Sequence, residues 1–336
     1  MKIKSFIISI LAIIGMSVNA QNAYITNIGD STVSVINLAT NTVTATIAVG
    51  NSPEGICASP NGKKVYVVNA VSLTISIINT ATNTVSATIP VPVDHSLSCI
   101  AASPDGSRLY VLSESGSEPG KISIINTNTN SVESTVEVNY EPCGLSVSPD
   151  GSKVYTTYKG NESSIRVINT KNNNSLSFIY TNDNPNAIAV SSDGNYVYVA
   201  KGAKGTINGA VDVISSQPAE SIFSQTKTAP TATITVGLKP GDMAISRDGK
   251  KIYVVNENSG TISVINTSTY TVSATIKVGS SPAGVSVSPD GKKVLVTNLG
   301  DNTVSVISAA TNTVIATIKV GDSPWEIAFG NYTTSH

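Results

Sequence analysis

Histidine occurs only twice in the 336 residues, as His95 and His336, and tryptophan once, as Trp325. Two imidazoles exclude a multi-histidine copper or zinc centre within one chain, and a single internal histidine leaves no Ser-His-Asp triad to assemble. There is no phosphate-binding glycine loop, no dinucleotide fingerprint and no Cys-x-x-Cys-His haem attachment. Charge is scarce at 13% of residues, and 21 Lys+Arg against 22 Asp+Glu give no basic excess for a duplex-binding surface. Aromatics are 5%, and no second hydrophobic span follows the N-terminal one, which excludes a bundle of membrane helices.

That N-terminal run carries its own signal. Met1-Lys-Ile-Lys4 is basic, Phe6 to Val18 is almost wholly apolar, and Val18-Asn-Ala20 ends in a small residue suited to cleavage. The pattern predicts an export signal over residues 1–20 and a mature domain over 21–336, destined for the periplasm, the cell surface or the medium. Loss of Lys2 and Lys4 leaves 19 basic against 22 acidic side chains, a formal charge of −3.

What is abundant is Thr, Ser, Asn, Val and Ile, and it repeats. Val278 to Asn298 matches Val49 to Asn69 at most apolar, Pro and Gly positions. Turn glycines fall at Gly62, Gly106, Gly151, Gly194, Gly249 and Gly291, so the spacings are 44, 45, 43, 55 and 42. Such a period fits four short strands per unit. Gly284-Val-Ser-Val-Ser288 alternates apolar and small polar residues, as a first strand does. Ser288-Pro-Asp-Gly291 is a tight turn, because Pro presets its own φ, Asp bonds nearby backbone and Gly accepts positive φ. Lys251 to Asn256, Thr261 to Asn266 and Thr271 to Ile276 show the second, third and fourth strands. No segment keeps helical spacing.

Seven second strands, from Tyr24 to Leu295, and seven third strands contrast with six Pro-Asp-Gly-like turns. The mature chain opens on a second strand, Ala23 to Asn27, and closes on an unpaired first strand, Glu326 to Gly330. The last strand supplies what the first unit lacks. That offset predicts an all-β, seven-bladed β-propeller of four-stranded antiparallel blades, its ring closed by the N-terminal strands pairing with the C-terminal one.

Tyr24-Ile-Thr-Asn27, Tyr66-Val-Val-Asn69, Tyr253-Val-Val-Asn256 and Leu295-Val-Thr-Asn298 resemble the signature of the YVTN-type propeller repeats of exported and surface-layer-like proteins. The Ser-Pro-Asp-Gly turns and Thr-Asn-Thr-Val runs are similar too, over the whole mature chain. The resemblance implies a seven-bladed ring and a set of divergent roles: surface-layer components, lactonase-like enzymes, quinoprotein subunits and a few nucleic-acid binders. Tyr110 to Ser113, Tyr155 to Tyr158 and Tyr198 to Lys201 depart from it by losing the Asn.

The chemistry-bearing residues gather at one place in the repeat. Aligned on the proline that opens six of the seven first strands, with Leu97 at its place in the other, the next position reads Glu54, Ser98, Cys143, Asn186, Gly241, Ala283 and Trp325. The one after reads Gly55, Cys99, Gly144, Ala187, Asp242, Gly284 and Glu326. Glu54, Asp242 and Glu326, with Trp325 as an aromatic wall, predict an acidic channel mouth for a divalent cation or a cationic ligand. The competing reading has these carboxylates solvated at the rim or bonding a neighbouring blade's backbone. Cys57, Cys99 and Cys143 lie in successive first strands; their odd number allows one disulfide and a leftover thiol, or three buried thiols. The recurring tyrosines read as blade core. The unit from Ala200 to Val236 is the long one, and its surplus, Ser215 to Pro230, lies between third and fourth strands with Ile222 and Phe223 as apolar residues. The uncharged outer strands, such as Thr42 to Ile47, offer edges that pair with another chain unless twist and Lys277 or Lys319 prevent it.

Two classes stand open at this level. One is an exported non-enzymatic scaffold or protein-interaction module that meets a protein or cell-envelope partner through its faces, its rim or loop 215–230, with no cofactor. The other is a propeller enzyme or small-ligand binder that uses the mouth carboxylates, with a divalent cation. Single-strand nucleic-acid binding follows only from the resemblance, and the acidic mature charge counts against it.

Overall fold

Seven four-stranded antiparallel sheets make up the computed structural model, which describes residues 21–114, 118–159, 164–173, 175–180, 184–202, 208–216 and 229–330. Residues 1–20, Ile222, Phe223 and His336 lie outside that set, and with them the export signal and most of the long insertion. Blade 1 orders its strands Pro324–Gly330, Asn22–Asn27, Thr32–Asn37 and Thr42–Ala48, from axis to rim. Blades 2 to 7 follow in chain order, their inner strands opening at Pro53, Ser96, Pro142, Pro185, Pro240 and Pro282. The predicted closure is present: Asn22 faces Gly330 and Ile25 faces Ile327 across an antiparallel ladder. Two short 3-10 turns, Glu257–Ser259 and Leu299–Asp301, are the helical elements among the described residues.

The core is a series of layers between blades. Val35 and Val65 pack in one layer between blades 1 and 2, and Ala23 and Ile25 pack against Val304 and Val306 at the seam between blades 7 and 1. The tyrosines are core, as their recurrence implies, with Tyr24, Tyr66, Tyr110, Tyr155, Tyr198 and Tyr253 all buried. The tip of Tyr24 reaches the next blade, where its hydroxyl donates to Asn83 Oδ1 at 2.7 Å.

The signature Asn works by tying two connections at once. Asn69 Nδ2 donates to Thr74 Oγ1 at 3.0 Å and Ser76 Oγ at 2.9 Å, and its Oδ1 accepts the Gly50 N–H at 3.0 Å. A Cβ on Gly50 would lie 2.7 Å from the Asn69 side chain, so the linker from blade 1 needs glycine there. In blade 5 Lys201 takes the place of Asn and Asp212 the place of Ser76. A 2.8 Å ion pair replaces the neutral hydrogen bond, with side chains 13% and 5% exposed. In the turns Ser103 Oγ donates to Asp105 Oδ1 at 2.5 Å and Ser148 Oγ to Asp150 Oδ1 at 2.5 Å, while Gly106 and Gly151 take φ of 72° and 71°. The turn aspartates are therefore turn formers. Outer strands such as Thr42–Ala48 and Thr313–Lys319 are exposed except for a half-buried Ala in the middle and one buried Ile near the end, and each is the edge of its sheet.

Candidate functional site at the channel mouth

A repeated slip in the strand register builds the mouth. In blade 2 Pro53 faces Asn69, but the next matched residue, Ile56, faces Val67, so Glu54 and Gly55 together oppose Val68. Each inner strand shifts register at this point. A bulge re-aims side chains, and here it brings the whole position to the axis: Glu54, Ser98, Cys143, Asn186, Gly241, Ala283 and Trp325 line one cavity of ≈ 310 Å³. Asp242 and Glu326, from the following position, line it too. Threonines of second strands clamp the bulged backbone, with Thr26 Oγ1 donating to the Glu54 carbonyl at 2.9 Å and Thr297 Oγ1 to that of Trp325 at 2.6 Å.

The carboxylates divide into two roles. Asp242 is spent on backbone: its Oδ1 accepts the Met243 N–H at 2.7 Å and its Oδ2 accepts that of Val285, in blade 7, at 2.8 Å. Glu326 likewise reaches the next blade, its Oε2 accepting the Ile56 N–H at 3.1 Å. Both therefore bind a neighbouring blade's backbone while facing the cavity. Glu54 differs, since among the described residues no hydrogen bond holds its carboxylate. The Ser98 hydroxyl in the next blade is buried and also without a hydrogen-bond partner among the described residues.

Crowding of acids in a poorly solvated cavity penalises charge. Burial, then the charge of Glu114, pushes Glu54 up to about 7. Burial also raises Glu114, against the pull of Lys159. Asp242 is raised by burial although two N–H groups favour its anion, and Glu326 is raised by burial and then by the charge of Asp242. Near neutral pH the mouth thus holds protons that a cation can displace.

Sequence reasoning missed Glu114, Lys159 and Glu257, which complete the lining. Each directly follows the Asn-equivalent residue of its second strand (Ser113, Tyr158 and Asn256), so an alignment carried one position past the signature would have found them. Glu257 pairs with Lys239 at 2.6 Å. On the same face His95 Nε2 lies 3.3 Å from both Asp94 Oδ1 and Glu118 Oε2. These three could hold a metal ion by spacing, but Asp94 and Glu118 are exposed and the Lys121 ammonium already lies 3.3 Å from Asp94.

Cys57, Cys99 and Cys143 are free thiols here. Cys143 Sγ lies 3.0 Å from the Pro185 carbonyl and 3.3 Å from Thr157 Oγ1, and Cys99 Sγ lies 3.8 Å from the Cys143 carbonyl. Burial raises all three above the ordinary thiol range, so the thiolate that reacts is rare. We expect slow reaction with Ellman's reagent in the native state and three equivalents released in denaturant; release of one would reveal a disulfide instead.

Comparison with known proteins agrees with this architecture. The model of a family described as YNCE-like beta-propeller matches residues 6–334. A stretch of 47 residues is 53% identical to part of a PE-PGRS family protein of Mycobacterium tuberculosis, covering 14% of this chain and 10% of that one. Hydrazine synthase from Kuenenia stuttgartiensis superposes with a TM-score of 0.75 at 20% identity, over 85% of this chain and 91% of that one. A functionally unknown protein from Desulfotomaculum acetoxidans does so with a TM-score of 0.75 at 16% identity, over 93% and 99%. At these identities the likeness is one of fold.

Proposed function

The chain belongs to the YNCE-like beta-propeller family, and from that premise we propose that it is an exported, non-enzymatic interaction module whose channel mouth receives a cationic side chain of a protein partner. The observation that carries this reading is the Glu54 carboxylate. It lines the cavity unengaged by any hydrogen bond among the described residues, beside Glu114, the unpartnered Ser98 hydroxyl and the 37% exposed indole of Trp325. A guanidinium or ammonium entering there would neutralise a carboxylate that is costly to ionise alone, and would lie against an aromatic wall. The export part of the proposal is supported by the basic, apolar and small-residue pattern of residues 1–20.

Titration calorimetry with a short arginine-rich peptide tests the mouth. Glu54 ionises above about 7, so affinity should fall as pH drops from 8 to 6. Glu54→Gln should weaken binding roughly tenfold, the scale of one charge-assisted hydrogen bond. Binding indifferent to both pH and Glu54→Gln would overturn the proposal.

A further inference from the structure

The two faces of the ring differ in charge. On the mouth face the inner carboxylates are surrounded by exposed Asp30, Asp94, Glu118, Glu141, Asp301 and Asp322, and among the described residues carboxylates there outnumber lysines. On the opposite face, where the inner strands turn into the second strands, exposed Lys63, Arg247, Lys250 and Lys292 stand in blades 2, 6 and 7. The aspartates of that sector, Asp248 and Asp290, are outnumbered, because blade 2 carries Asn61 in place of the turn acid. Between these cations the other end of the channel opens into a cavity of ≈ 520 Å³ lined by Ile245, Val287, Ile327, Phe329 and Arg247. The mouth face, in turn, presents Trp325 near its centre.

We propose that copies of this chain stack in one direction, the mouth face of one on the basic sector of the turn face of the next, with a cationic side chain of that sector entering the mouth beside Glu54 and Trp325. The occupant follows from complementarity of sign: the acidic mouth face matches the basic sector of blades 2, 6 and 7, and the half-exposed Trp325 lies at the centre of the contact. Trp325 is 37% exposed, so covering it adds roughly 55–95 Å² of aromatic contact, and aromatics and Arg are the residues that dominate such interfaces. The two patches are different surfaces, so the contact is heterologous, and coaxial stacking gives an open array rather than a closed dimer. The inference rests on the mouth being a docking surface and names the partner as a second copy.

The repeat itself supplies substitutions the fold tolerates. Lys239 occupies in blade 6 the positive-φ position of Glu141 in blade 4, Ser107 and Ser152 occupy the turn positions of Lys250 and Lys292, and Ala283 occupies that of Trp325. One variant combines Glu54→Lys, Glu114→Lys and Glu141→Lys; the other combines Lys63→Glu, Lys250→Glu and Lys292→Glu. Sedimentation velocity of the full mature chain at low salt should show a concentration-dependent series of multiples that collapses in high salt. Each variant alone should be monomeric, an equimolar mixture should assemble again, and Trp325→Ala should weaken assembly at least tenfold. A wild-type monomer at every concentration, a series that stops at two, or a mixture that stays monomeric would overturn the stack. Arginine-peptide binding by a monomeric wild type would sink the stack alone, whereas loss of both would sink the mouth as a docking surface.

Discussion

Replacing Lys201 by Ala should cost about 3–5 kcal/mol, the price of stranding one charge of a buried pair. Asp212 is 3% exposed and holds two partners, Lys201 Nζ at 2.8 Å and the Thr233 hydroxyl, which donates to its Oδ1 at 2.6 Å. Without the ammonium the carboxylate must either stay charged in the blade interior or take up a proton. Blades 1, 2, 6 and 7 show a neutral solution to the same geometry, in which Asn Nδ2 donates to Ser Oγ at 2.9 Å. The double variant Lys201→Asn/Asp212→Ser should therefore recover stability to within about 1 kcal/mol of the parent, since neutral replacements of buried ion pairs often cost little. Urea denaturation followed by circular dichroism measures all three. A single variant as stable as the parent would show that water screens this pair.

Thermal stability should be greatest in mild acid and fall towards alkaline pH, an inversion of the common pattern. The mouth carboxylates bind protons more tightly folded than unfolded, so between the ordinary carboxylate range and about 7 for Glu54 the native state carries the extra protons. Stability then decreases as pH rises through that window and further as Glu326 ionises. Below it the turn aspartates act with opposite sign. The Ser148 hydroxyl and the Ser152 N–H hold Asp150 down at about 2, so its modest, solvent-screened contribution is present above the ordinary value and lost as pH falls towards 2. Glu326→Gln keeps an oxygen for the Ile56 N–H and removes the charge. We expect it to raise the melting temperature by about 4 °C at pH 8.5, from about 2 kcal/mol of relieved desolvation, and to leave it unchanged at pH 5. Parallel pH profiles for parent and variant would contradict this account.

The ring was legible in the sequence because its determinants are local and repeated. Gly62 and its equivalents mark turns, the alternation marks strands, and the surplus strand from Glu326 to Gly330 marks closure. The mouth was half legible. Counting from the proline brought Glu54 and Trp325 into one ring without any knowledge of the bulge, since every blade slips by the same amount. That Asp242 and Glu326 would each grip the next blade was only one of three readings, because the choice depends on which N–H a bulge leaves unpaired. Lys201 and Asp212 were opaque, as a departure from the signature names its cross-strand partner only once the register pairs Val199 with Asp212.

The ladder between Asn22–Asn27 and Pro324–Gly330 joins parts of the chain some 300 residues apart. Blades 2 to 7 each form from contiguous sequence and can condense in any order. The first blade cannot, because its axial strand comes from the far end. Bringing two such distant segments together costs an entropy of about 5 kcal/mol in a flexible chain, less once the intervening blades have formed. Closure is thus the slow, topologically demanding event, and it is also what converts a row of nearest-neighbour units into one cooperative object. Until that seam zips, the layer of Ala23, Ile25, Val304 and Val306 stays open, and the half-made ring is the species most exposed to proteolysis and to mispairing with another chain.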